Sequence, residues 1–199
     1  MREQTINGIS YRCRNLPLQG ACVIERIPYT DHRGTFDRVY DPALLASVAG
    51  YHLRVAQLAL VQNPIAGTLR GLHFQTPPMQ EAKLVTCLKG EILDVLLDLR
   101  MRSATWGKST AVLLRAKDRR SVLVPPGFAH GYITLKEDSW VQYATDAPYS
   151  TLHAASLHWK CAGSAWGNWF NDGPAEISLR DSGAPHYLPS ALPRIVVER

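Results

Sequence analysis

The sequence predicts an all-β fold, a sandwich or a jelly-roll barrel. Three observations predict it: about ten short runs of strand-forming residues, close punctuation by Gly and Pro, and no long helical period. At 199 residues the chain suits one domain with a sizeable buried core. Hydrophobic residues make up 46% and charged residues 20%, the balance of a globular protein rather than a disordered one.

The strand-like runs are Ala21–Ile27, Thr35–Tyr40, Val55–Gln62, Thr68–Phe74, Ala82–Leu88, Ile92–Leu97, Thr110–Leu114, Ser121–Val124, Gly131–Leu135 and Trp140–Thr145. Gly34, Pro64, Gly67, Pro77-Pro78, Gly90, Gly107, Pro125-Pro126-Gly127 and Pro148 separate them as turn residues. One helix is expected near residues 42–49: Asp41 caps it, Pro42 suits its first turn and Gly50 ends it. After residue 148 the pattern loosens and Trp159, Trp166 and Trp169 gather. The expected organisation is a single domain over 1–199, with a barrel from about 20 to 147 and an irregular C-terminal cover from about 148 to 199.

Composition also excludes function classes. No apolar run approaches the ~18 residues that a membrane-spanning helix needs, and the N-terminal residues lack the plan of a signal peptide, so a cytoplasmic protein is expected. Cys13, Cys22, Cys87 and Cys161 have no close paired spacing, which argues for free thiols over zinc or redox motifs. The net charge of +5 is spread along the chain without a basic helix. It supports nucleic-acid binding only weakly and suits an anionic small molecule, such as a diphosphate, equally well.

The chemistry concentrates in Arg70-Gly71-Leu72-His73-Phe74-Gln75, Lys83-Leu84-Val85 and Pro125-Pro126-Gly127-Phe128-Ala129-His130-Gly131. Strand alternation points Gly71, His73 and Gln75 to one face. Lys83, among Leu84, Val85 and Cys87, needs a partner or a task, because burying an unpaired ammonium is costly. Pro-x-Gly-x-x-His at 125–130 is the second half of the cupin signature, so the barrel expected is a cupin-like jelly roll. Metal-binding cupins place a second histidine where this chain has Gln75, a poor ligand for transition metals. No metal and no cofactor are therefore expected. Tyr143 and Asp181 taken alone read as a packing tyrosine and a loop carboxylate, and Arg33 as an exposed turn residue.

Together these segments resemble the nucleotide-diphospho-4-keto-sugar 3,5-epimerases from about residue 20 to 185. The shared motifs are Asp-x-Arg-Gly at 31–34, Leu-Arg-Gly-Leu-His-Phe-Gln at 69–75, Lys-Leu-Val at 83–85, Gly-Glu-x-x-Asp-Val at 90–95, Asp-Leu-Arg at 98–100, Pro-x-Gly-Phe-Ala-His-Gly at 125–131 and Tyr143. The resemblance implies a cofactor-independent isomerase of deoxysugar biosynthesis that works through an enolate, and a homodimer whose N-terminal strands cross to the partner. It implies His73 as base, Asp181 as its pair, Tyr143 as opposing acid and Lys83 at the enolate oxygen. Arg33 and Arg70 would meet the diphosphate, and His130 and Gln75 the substrate. Departures fall where the family reads the nucleotide: Gln57-Leu58-Ala59, Asp37-Arg38, Ala144 after the tyrosine, Thr151, and Ala154-Ala155 before Trp159. The alternatives are a non-catalytic sugar-nucleotide-binding cupin and a metal-dependent cupin enzyme.

Overall fold

The structure is a computed structural model that describes residues 1–6, 8–170 and 173–197, with the backbone alone at 168–170; the Trp169 side chain lies outside the described residues. In chain order the strands are β1 (Arg2–Ile6), β2 (Ile9–Asn15), β3 (Cys22–Ile27), β4 (Tyr29–Asp31), β5 (Gly34–Phe36), β6 (Gln57–Asn63), β7 (Thr68–Gln75) and β8 (Lys83–Lys89). They continue as β9 (Glu91–Asp98), β10 (Ser109–Arg115), β11 (Arg120–Val124), β12 (Phe128–Thr134), β13 (Ser139–Thr145), β14 (Ala154–Ser156) and β15 (Glu176–Ile177). The α-helices are α1 (Pro42–Ala49) and α2 (Leu179–Ser182).

Two sheets face each other. One has the order β1-β2-β3-β11-β8-β13-β6; the other is β10-β9-β12-β7-β14, with β15 added in parallel to β7. From β7 onward the chain passes repeatedly from one sheet to the other, as a jelly roll does. Between the sheets lie Val23, Val85, Ile92, Leu96, Val122, Phe128 and Val141. The outer face of the first sheet packs Ile24, Leu84 and Leu123 against Leu44, Leu45 and Val48 of α1. The outer face of the second packs Leu72, Leu93, Val95 and Leu97 beneath the C-terminal segment, including Leu157 and Trp166. Strand β9 is therefore buried on both faces, so hydrophobic residues sit on either side of Asp94 without the alternation of a half-buried strand.

Helix α1 has the expected bounds for the expected reasons. Asp41 accepts hydrogen bonds from the Ala43 and Leu44 amides at 3.0 Å, and Gly50 closes the helix with φ at 71°.

Sheet pairing extends past 20–147 at both ends. Strands β1 and β2 add to the first sheet, and β14 and β15 to the second. The burial of Ile9, Tyr11 and Cys13 follows the period of two that marks a half-buried strand, whereas β1 is polar and exposed from Arg2 to Thr5. The strand expected over 35–40 stops at Phe36 because Asp37 turns to Arg26 (3.1 Å) and Arg38 to Asp41 (3.0 Å).

Candidate active site

Between the open ends of the two sheets lies a cavity of about 390 Å³, lined in part by Arg70, His73, Lys83, His130 and Tyr143. Its two walls have different chemistry. His73 and Arg70 come from β7 and His130 from β12, in one sheet; Lys83 comes from β8 and Tyr143 from β13, in the facing sheet. His73 and Tyr143 thus approach the space from opposite sides.

His73 and His130 are direct partners in the β7–β12 register, and each bonds a carboxylate. His73 Nε2 lies 2.6 Å from Asp181 Oδ1, and His130 Nε2 lies 2.7 Å from Asp94 Oδ2. With Nε2 donating to Asp181, Nδ1 of His73 carries the lone pair. Burial raises the Asp181 carboxyl, but hydrogen bonds from His73, the Gly71 amide and Ser178 outweigh it and hold the group below its ordinary value.

A β-bulge builds this wall. Between His130 and Tyr132 on β12 the partners on β7 run from His73 to Arg70, so β7 carries one extra residue. Regular alternation would send Arg70 and His73 to opposite faces; the bulge turns both into the cavity. Gly71 sits in it with φ at 117°, and a Cβ there would lie 2.6 Å from the Gly131 Cα. The displaced Gly71 N–H donates to Asp181 Oδ2 at 3.2 Å, so the irregularity that aims His73 also holds its carboxylate.

On the facing wall Tyr143 pairs with Val85 and Thr145 with Lys83, which makes Lys83 and Tyr143 diagonal neighbours on the inner face. The Lys83 ammonium is nearly enclosed and bonds Glu81 at 3.1 Å. Burial raises the Tyr143 hydroxyl above its ordinary value; Arg70 opposes this and Glu81 adds to it. Arg70 is held by Asn63 Oδ1 at 2.8 Å. A half-exposed Tyr149 and Arg180 stand at the mouth, the guanidinium 3.5 Å from the phenol oxygen. Among the described residues no group of three or more His, Cys, Asp or Glu side chains is disposed to hold a metal.

Residues 15–188 match the family described as dTDP-4-dehydrorhamnose 3,5-epimerase. The chain belongs to this family. A relative of that name from Mycolicibacterium smegmatis is 39% identical over 137 residues, 69% of this chain and 68% of that protein. The crystal structure of a dTDP-4-dehydrorhamnose 3,5-epimerase from Bacillus anthracis, with TDP and PPi bound, superposes with a TM-score of 0.82 at 32% identity, covering 89% of this chain and 99% of that one. A dTDP-6-deoxy-D-glucose-3,5-epimerase from Legionella pneumophila, in complex with dTDP-4-keto-L-rhamnose, gives 0.82 at 27% identity, with 94% and 100% covered.

Of the residues that the resemblance to these epimerases singled out, His73, Asp181, Lys83, Tyr143, Arg70 and His130 come together. Two do not behave as expected. Arg33 lies on the β4–β5 hairpin outside the cavity of its own chain, 77% exposed and bonded to Asp31. Gln75 borders the cavity, but its amide is committed to protein: Nε2 donates to the Met79 and Pro148 carbonyls and to Glu81, and Oε1 accepts from the Ser150 amide. It fastens two loops rather than offering a free group to a substrate. The sequence reading missed Glu81, Asp94, Tyr149 and Arg180. Asp94 stands within the Gly-Glu-x-x-Asp-Val motif, and an acid two residues before a buried lysine was a usable signal for Glu81.

Proposed function

We propose that this chain is an epimerase that inverts C3, C5 or both of a nucleotide-diphospho-4-keto-6-deoxyhexose, in the cytoplasm, without metal or organic cofactor. One observation carries the reading: a histidine backed by a carboxylate at 2.6 Å and a tyrosine face each other across one cavity, with a lysine beside the tyrosine.

The C4 ketone acidifies the hydrogens on C3 and C5. Nδ1 of His73 takes one of them, and Asp181 stabilises the imidazolium through Nε2–H. Negative charge moves to the C4 oxygen, where the Lys83 ammonium stabilises it. Tyr143, on the facing wall, returns a proton to the opposite side of the ring and so inverts the centre. Arg70 and Arg180 supply positive charge for the diphosphate, and the exposed Tyr149 ring offers a stacking face for the base.

Transition-metal chemistry finds poor support in the donor set, since each histidine is committed to a carboxylate and Gln75 to backbone groups. The finer reading of the quaternary structure is a homodimer in which the β4–β5 hairpin carries Arg33 to the other protomer's cavity. The test of the activity is incubation with nucleotide-diphospho-4-keto-6-deoxyhexoses in heavy water. Deuterium at C3 or C5 of an inverted product is expected; no incorporation with any of them would sink the proposal.

A further inference from the structure

Glu81 is the one carboxylate lining the cavity among the described residues, and the reaction outlined above gives it no task. Its presence is at first sight unfavourable, because an anion beside Lys83 opposes the charge that an enolate would place there. Yet the group is built in. Oε1 lies 3.1 Å from the Lys83 ammonium, Oε2 accepts from Gln75 at 3.1 Å, and the side chains of Glu81 and Lys83 are each only 11% exposed. Gln75 cannot turn away, since Met79, Pro148 and Ser150 fix both ends of its amide. The carboxylate is thereby locked on the wall that carries Tyr143.

We propose that Glu81 is a positioning residue: it holds the Lys83 ammonium in place and adds to burial in favouring the protonated Tyr143 hydroxyl, so that the proton remains available when the enolate forms. The proposal rests on the reading of Tyr143 as the acid. Tyr143 is a diagonal neighbour of Lys83 and faces Arg70 and His73 from β7, His130 and Tyr132 from β12, and Lys83 and Glu81 from its own wall. Of these, Arg70 lowers the Tyr143 hydroxyl and Glu81 raises it, on top of the rise that burial causes. Without Glu81 only burial would oppose Arg70, and the tyrosine would be a readier anion. An anion cannot deliver a proton.

The test is the absorbance titration of Tyr143, taken as the difference between the protein and its Tyr143→Phe variant, in three backgrounds. With Glu81 in place the midpoint is expected above the ordinary 10.0. Glu81→Gln, of nearly equal size, removes the charge and is expected to lower it. Glu81→Asp keeps the charge and is expected to keep the midpoint high. The alkaline limb of substrate inversion should move with the titration. An unchanged midpoint in Glu81→Gln overturns the proposal. So does a midpoint at or below 10.0 with Glu81 in place, which needs only the Tyr143→Phe reference and no Glu81 variant to fold. The absorbance arm reads the electrostatics whatever Tyr143 does in turnover. A titration that shifts while the inversion limb stays still supports the role of Glu81 and places the failure in the assignment of Tyr143.

Discussion

His73 and Tyr143 occupy opposite walls, and that separation makes their roles experimentally distinct. His73→Ala or His73→Asn is expected to abolish both deuterium exchange and product formation, because no enolate forms. Tyr143→Phe keeps the ring and its packing but removes the returning acid, so exchange should persist through His73 while inverted product falls ~10²–10⁴-fold. Normal inversion by the Tyr143→Phe protein, or exchange by a His73 variant, would show the roles to be wrong. Asp181 adds a dependence on pH. Its carboxyl is held below the ordinary value in the fold, so its contribution to stability is present above the unfolded-state pKa of about 3.9. That contribution is lost as pH falls through the lower, folded value. Asp181→Asn should therefore flatten the acid limb of the unfolding curve and cut activity ~10²-fold or more; an acid limb as steep as that of the parent would contradict this.

The irregular part of β7 matters more to the site than its regular part. Alternation along the strand aims His73 into the barrel, and that much could be read from the sequence. The bulge could not: nothing in Arg70-Gly71-Leu72 says that β12 will offer one residue fewer, because register belongs to the pair of strands and not to either alone. The same limit explains Gln75, whose partners at Met79, Pro148 and Ser150 are set by loop paths that no local pattern encodes. Asp181 was identifiable only through resemblance. Its position depends on Ser178, whose hydroxyl caps the short helix α2 and accepts from the Asp181 amide at 3.1 Å. Helix α1, by contrast, could be read completely, because its capping residues lie next to it in the chain. Gly71→Ala tests the bulge. The residue has φ at 117°, and its Cβ would meet the Gly131 Cα at 2.6 Å and the His130 carbonyl at 2.8 Å, all backbone of the adjacent strand. A loss of ~1–3 kcal/mol or more in denaturant unfolding is expected, with activity falling further than stability because His73, Asp181 and His130 all hang on this contact. A fully active, equally stable variant would mean that the bulge is not what aligns them.

At the scale of the assembly, Arg33 poses the question. The motif that contains it matches the family, yet the β4–β5 hairpin holds it away from its own cavity, in a two-stranded sheet joined to neither wall. A homodimer in which each hairpin serves the other protomer reconciles the two facts, and it predicts complementation. Arg33→Ala alone should raise KM through lost diphosphate contact, with a smaller effect on kcat. His73→Ala alone should be inactive. In a mixed dimer of the two variants, one cavity carries both lesions, whereas the other combines an intact His73 with an intact Arg33 from its neighbour. Unfolding and refolding the two variants together should therefore restore a low KM to the sites that work. If Arg33 served its own chain, no cavity in the mixture would possess both residues, and KM would stay as high as in Arg33→Ala by itself.

The mouth of the cavity raises the matter of the base. Gln57, Leu58 and Ala59 line it from the edge strand β6, and Leu58 is 64% exposed. Gln57 Oε1 accepts from the Tyr149 amide at 2.6 Å, which leaves one amide nitrogen and two apolar side chains beside the Tyr149 ring. Stacking on an aromatic ring discriminates weakly among bases, because each presents a π-face. Discrimination requires buried polar groups that a wrong base leaves unpaired. This stretch of wall offers few, so dTDP, UDP, CDP and GDP should bind with affinities within about tenfold of one another, or ~1.4 kcal/mol. Calorimetric titration of the four diphosphates checks this. A preference for dTDP of a hundredfold or more would mean that another segment supplies the polar recognition that Leu58 and Ala59 lack.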